Sequence, residues 1–182
     1  MSINRRNFLK WASSVPIITA PSIVNAALSP APAEQEHRAL KLRNLHTGER
    51  ANITYWEHGE YLIDGLADIY LLMRDHRQNE VASLDLDLID QLHHIHGKLE
   101  TDREIMLVSG YRSPKTNQQL RHSHYGIAEE SMHMQGKALD FYIPGINHRH
   151  VHKATLAVST GGVAYYRNSG FIHMDTGRKR RW

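Results

Sequence analysis

The sequence predicts an α+β domain in which an antiparallel sheet is flanked by helices. Residues 62–73 and 84–99 repeat apolar side chains at helical spacing. Residues 138–143 and 163–175 instead alternate at strand spacing, and turn residues separate the segments. The length, 182 residues, suits one domain, and 41% hydrophobic with 23% charged residues supplies a core and excludes a disordered composition.

Residues 41–58 alternate weakly around Thr47-Gly48, which predicts a hairpin leading into the domain. From Gly59 the period lengthens, so that Leu62, Leu66, Ile69 and Met73 share a helical face. Ser83 is the expected cap of a second helix carrying Leu84, Leu88, Leu92, Ile95 and Leu99. The dense apolar run 105–108, closed by Ser109-Gly110, predicts a buried strand. Ser113 followed by Pro114 starts a third helix toward Arg121, and a polar loop fills 122–131. In 138–143, Leu139, Phe141 and Ile143 face one way while Ala138, Asp140 and Tyr142 face the other. Val151, Ala154, Thr155 and Val158 mark a last helix, ended by Gly161-Gly162. Residues 163–175 then form a hairpin with its turn at 167–170; Phe171, His173 and Asp175 share one face of its second strand, Ile172 and Met174 the other.

The net charge is +3, from 22 Lys and Arg against 19 Asp and Glu. Arg5, Arg6 and Lys10 are the only bases before Glu34, and removing them leaves a neutral chain. The remainder therefore lacks the basic footprint of a nucleic-acid binder. Arg178, Lys179, Arg180 and Arg181 form a basic tail, expected to be solvated. The absence of cysteine excludes disulfides, Cys-ligated zinc, iron–sulfur clusters and an acylated lipoprotein Cys.

Residues 1–26 have the layout of a cleavable export signal: a basic start, a mildly apolar run from Trp11 to Val24, and small residues that place the cut near Ala26 or Ala27. The paired Arg5-Arg6 before Phe8, Leu9 and Lys10 resembles a twin-arginine signal. Pro16 and Pro21 interrupt a run already shorter than the roughly 20 apolar residues of a bilayer span, so no integral membrane span is expected in the mature protein. Residues 27–36 are then a linker, and 37–182 the domain with its basic tail.

Asp140 is the most informative residue. A carboxylate on a strand whose other face is apolar is costly unless it is paired, hydrogen-bonded or bound to a metal. His133 stands seven residues earlier, with Gly136 between them to let the backbone turn before the strand. His173, in the closing hairpin, is a candidate third partner. Two His and one carboxylate with an open fourth position is the ligand set of a catalytic zinc site, although hydrogen-bonded structural His and Asp residues give the same spacing. The other histidines carry less. His93, His94 and His96 lack a further ligand nearby in sequence, and His148, His150 and His152 are expected in solvent.

The pattern formed by Ser131, His133, Gly136, Ala138 and Asp140, followed by His173-x-Asp175 and preceded by Ser109-Gly110-Tyr111-Arg112-Ser113, resembles the superfamily of lysostaphin-type and D-alanyl-D-alanine carboxypeptidase-type zinc peptidases. With the export signal and the Gly161-Gly162 hairpin, the chain is similar to the murein endopeptidases within it. The resemblance implies Zn2+ held by His133, Asp140 and His173 on the sheet face, with Arg112 contacting substrate or the developing oxyanion. It further implies a periplasmic enzyme whose substrate is peptidoglycan, cut at D-alanine to diaminopimelate links, diaminopimelate to diaminopimelate links, or both. A carboxypeptidase that trims stem peptides and a non-catalytic peptidoglycan-binding domain are the alternatives; no feature sets the oligomeric state. Relatives often carry an acid three residues before the last ligand as general base, and here Gly170 stands there. Asp175 is the expected base or an orienting partner of His173, with Glu129, Glu130 and His124 as alternatives.

Overall fold

A computed structural model of the chain describes residues 37–123 and 126–182. The expected signal, its cleavage site, the linker and His124 lie outside the described residues. Four helices and an eight-stranded sheet follow one another as β1 (His37–Asn44), β2 (Arg50–Glu57), β3 (Glu60–Tyr61), α1 (Ile63–Leu72), α2 (Leu86–Lys98), β4 (Ile105–Ser109), α3 (Pro114–Ser123), β5 (Ala138–Tyr142), α4 (His148–Val158), β6 (Gly162–Tyr166), β7 (Phe171–Asp175) and β8 (Arg180–Arg181). A 3-10 turn, Met132–Gln135, precedes β5. No helix among the described residues is long and apolar enough to cross a membrane.

The sheet order is β3-β2-β1-β4-β5-β7-β6-β8. It is mixed, which corrects the antiparallel expectation: β1 runs parallel to β4, and β6 parallel to β8. The β1–β4 pair closes over the long crossover that holds α1 and α2, and parallel strands require such a connection. The remaining pairs are antiparallel.

The core lies on one face of the sheet. Leu139 and Phe141 of β5 and Ile172 and Met174 of β7 are fully buried there with Leu88, Ile89, Leu92 and Ile95 of α2. Alternation then forces Asp140 and His173 to the opposite face. The register makes them direct cross-strand partners, Asp140 beside His173 and Leu139 beside Met174.

Two local expectations shift. α2 is capped by Asp85 rather than Ser83, its side chain accepting the Asp87 N–H at 3.1 Å. The other Asp85 oxygen accepts the Thr176 hydroxyl at 2.8 Å, and the Asp85 N–H donates to the Gly136 carbonyl at 2.9 Å, so tertiary bonds choose between two good caps. The first helix begins only at Ile63, because a turn at His58-Gly59 first adds Glu60–Tyr61 to the sheet edge.

Candidate metal centre and cleft

Ser131 caps the 3-10 turn by accepting the His133 N–H at 3.3 Å, and Gly136, at φ 66°, ends the turn and sends the chain into β5. This local geometry aims His133 back over the start of the sheet. The Ser109–Ser113 segment holds it from the other side. His133 Nδ1 lies 2.8 Å from the Gly110 carbonyl and donates to it, while the Arg112 N–H donates to the His133 carbonyl at 3.2 Å. Ser113 in turn caps α3, accepting the Thr116 N–H at 3.2 Å and donating to the buried Asp75 at 2.6 Å.

With Nδ1 occupied, His133 presents Nε2, 3.5 Å from Asp140 Oδ2. His173 Nδ1 lies 2.8 Å from Asp140 Oδ1, and its Nε2 lies 3.1 Å from Asp175 Oδ2. His133, Asp140 and His173 are buried, and one donor atom from each lies within 4.8 Å of the others. The set fits a zinc-type ion: two imidazole nitrogens and a carboxylate converge, and each ring's remaining nitrogen is held by an oxygen, as metal-bound histidines require.

Asp175 is completely buried and heavily engaged. Oδ1 accepts the Gly162 N–H at 3.0 Å and the Gly177 N–H at 2.8 Å. The Arg180 guanidinium donates to both oxygens, at 2.8 Å to Oδ2 and 3.3 Å to Oδ1. The Gly161-Gly162 pair, expected as a helix stop leading into the hairpin, also admits this carboxylate: a Cβ on Gly162 would collide with Asp175 Oδ2.

A cleft of about 540 Å³ opens over the cluster, lined by Arg112, Glu130, Tyr166, Phe171, Arg180 and Trp182 together with the three central residues. Arg112 is half-buried with its guanidinium 3.4 Å from Asn117 Oδ1, and no carboxylate among the described residues forms an ion pair with it. Burial pushes its pKa down while Asp140 pulls it up, and arginine stays charged throughout. Of the alternative bases, exposed Glu129 pairs with Arg121 at 3.3 Å and Glu130 lines the cleft. Two expectations are corrected here. The basic tail is solvated only in part: Arg178, Lys179 and Arg181 are exposed, but Arg180–Arg181 form β8 and Arg180 holds Asp175. His148 and His152 share a helix face and pack against Tyr165, with ring centroids 6.2 and 5.7 Å away, leaving only His150 of the three exposed.

Burial lowers the His173 pKa, but its hydrogen bonds to Asp140 and Asp175 outweigh it and raise the pKa to about 9. Burial likewise raises Asp175, and His173 with the Gly162 and Gly177 N–H groups brings it down to about 2. Asp140 is held well below the usual carboxylate range by His133 and His173 despite its burial. In metal-free protein a raised histidine stabilises the fold fully below its unfolded pKa of 6.5, and that stability is lost as pH rises through about 9. The expected loss between pH 6.5 and 9 is on the order of 3 kcal/mol. His76, His93 and His152, whose pKa values burial lowers, act only below this window. Urea unfolding of chelator-treated protein across pH 7 to 9 measures the loss, and a flat profile would contradict the ion cluster.

The family model described as Peptidoglycan L,D-endopeptidase MepK, Peptidase_M15_2, matches residues 32–182. The chain is 41% identical over 164 residues to the peptidoglycan L,D-endopeptidase MepK of Escherichia coli strain K12, a match covering 87% of this chain and 90% of that protein. It is 36% identical over 184 residues to the probable peptidoglycan L,D-endopeptidase MepK of Haemophilus influenzae, covering 97% and 96%.

Proposed function

Because the chain belongs to the peptidoglycan L,D-endopeptidase MepK family, we propose that it is an exported, zinc-dependent murein endopeptidase hydrolysing peptide crosslinks in the periplasm, delivered by the twin-arginine route. The observation that carries the chemistry is the convergence of His133, Asp140 and His173 beneath an open cleft that also presents Arg112. Of the two crosslinks, the relatives' L,D designation favours the one between two diaminopimelates, where an L-centre carbonyl meets a D-centre amine. In the D-alanine link the carbonyl belongs to a D-residue.

His133 Nε2, Asp140 and His173 Nδ1 would hold the ion. When bound, it supplies Lewis acidity and lowers the pKa of water to about 7. The residues around it supply position and charge. Arg112, fixed through its own N–H on the His133 carbonyl, directs an unpaired cation at the oxyanion that develops on the scissile carbonyl. Asp175, with its oxygens committed to His173, Arg180 and two backbone N–H groups, is better placed to orient His173 than to shuttle protons. Glu130, an exposed carboxylate lining the cleft outside the ligand set, would take the proton from the attacking water and return it to the amine that leaves as the C–N bond breaks. Incubating the protein with defined diaminopimelate-crosslinked dimers yields monomers identifiable by mass, and chelator stops the reaction. Glu130→Gln lowers kcat by about 10²-fold. Dimers that stay intact at every metal loading would overturn the function, and an unaffected Glu130→Gln would move the proton elsewhere.

A further inference from the structure

The strand that closes the sheet touches the metal centre without contributing a ligand. β8 pairs with β6, Gly162 beside Arg180 and Val163 beside Arg181. Its two arginines do different things. Arg181 Nη1 donates to the Gly161 carbonyl at 2.6 Å, which fastens the strand. Arg180 forks onto Asp175, whose Oδ2 is the atom facing His173 Nε2. Trp182 adds a third contact: its ring centroid lies 5.5 Å from that of His173, and the Arg180 guanidinium sits 4.9 Å from the Trp182 ring.

A fully buried carboxylate is stable as an anion only with hydrogen bonds and a cation. Two backbone N–H groups take Oδ1, so the Arg180 fork is what holds Oδ2 aimed at the imidazole. With Oδ2 held there as the acceptor, His173 Nε2 keeps its proton, and Nδ1 is the nitrogen that would turn its lone pair to a metal on the side of Asp140. We propose that Arg180 is a positioning residue of the metal centre, acting through Asp175 to set the tautomer and orientation of His173, with Trp182 bracing the ring from the cleft side. This rests on the reading of His133, Asp140 and His173 as the zinc site.

A residue that merely fastened the last strand would alter stability and leave metal affinity alone. The experiment therefore measures, on the full chain at pH 7, the zinc dissociation constant by competition with a chromogenic chelator, beside the melting temperature of metal-free protein. Arg180→Ala is expected to weaken zinc about 10-fold. Lys179→Ala removes the same charge from an exposed neighbour and is expected to leave affinity within about twofold, while Arg180→Lys recovers part of the loss because it restores charge without the planar fork. A folded Arg180→Ala protein that binds zinc as tightly as wild type would overturn the proposal, whatever happens to its melting temperature. Should that variant fail to fold, Arg180→Lys and Arg180→Gln carry the same comparison, with wild-type affinity in both as the overturning result. Wild-type protein that binds no zinc, or His173→Ala that binds it equally well, would instead remove the underlying site assignment.

Discussion

His133→Ala abolishes crosslink hydrolysis while leaving the domain folded. The substitution removes one of three converging donors, and two cannot hold a catalytic ion against water and chelators. The expected loss in kcat/KM is at least about 10³-fold, or roughly 4 kcal/mol of transition-state stabilisation. The structural cost is far smaller. The Gly110 carbonyl loses the Nδ1 hydrogen bond, worth about 1 kcal/mol, while the Arg112 N–H to His133 carbonyl bond is made by backbone and survives. Product chromatography of crosslinked dimers, run beside far-ultraviolet circular dichroism, separates the two effects. Activity within tenfold of wild type in the folded variant would remove His133 from the site.

The centre was legible in the sequence because its parts obey local periods. Asp140 stood out as a carboxylate among alternating apolar residues, and the β7 pattern put His173 and Asp175 on one face. What joins them is the register of β5 on β7, Asp140 opposite His173, which agrees with both alternations at once. The Ser109–Ser113 segment was visible as a motif, but its work was not. Gly110 and Arg112 hold His133 through main-chain groups, and main-chain bonds leave no trace in residue identity, whereas the Ser113 cap of α3 is a side-chain bond and was expected.

The rest was decided by non-local contacts. Asp175 looked like a group free to take a proton until Gly162 and Arg180, 13 and five residues away in sequence, closed around it. Arg178 to Arg181 has the composition of a solvated tail, and only pairing with β6 makes its last two residues a strand. The parallel β1–β4 pair has no local signature either, since strand direction is set by how α1 and α2 return the chain. The face shared by His148 and His152 follows from their four-residue spacing, and the packing of Tyr165 against it is tertiary. Most of these differences fall where a tertiary partner overrules a local preference, whereas His133, Asp140 and His173 converge through one short turn and two neighbouring strands.

Arg112→Ala lowers kcat by about 10² to 10³-fold with a much smaller change in KM. The side chain has no carboxylate partner among the described residues, so its charge is available to whatever occupies the cleft. Its backbone is anchored on both sides, by its own N–H on His133 and by Ser113, whose hydroxyl caps α3, so the guanidinium is positioned before substrate arrives. A preset cation stabilises charge that develops during the reaction more than charge already present, which places the loss in kcat. Arg112→Lys is expected to recover little, because an ammonium lacks the planar fork and would not reach the Asn117 contact in the same geometry. The opposite split is equally informative: a raised KM with unchanged kcat would show that Arg112 binds a ground-state carboxylate of the stem peptide. Steady-state kinetics on a soluble crosslinked dimer, with zinc content measured in each variant, distinguishes these outcomes from simple loss of metal.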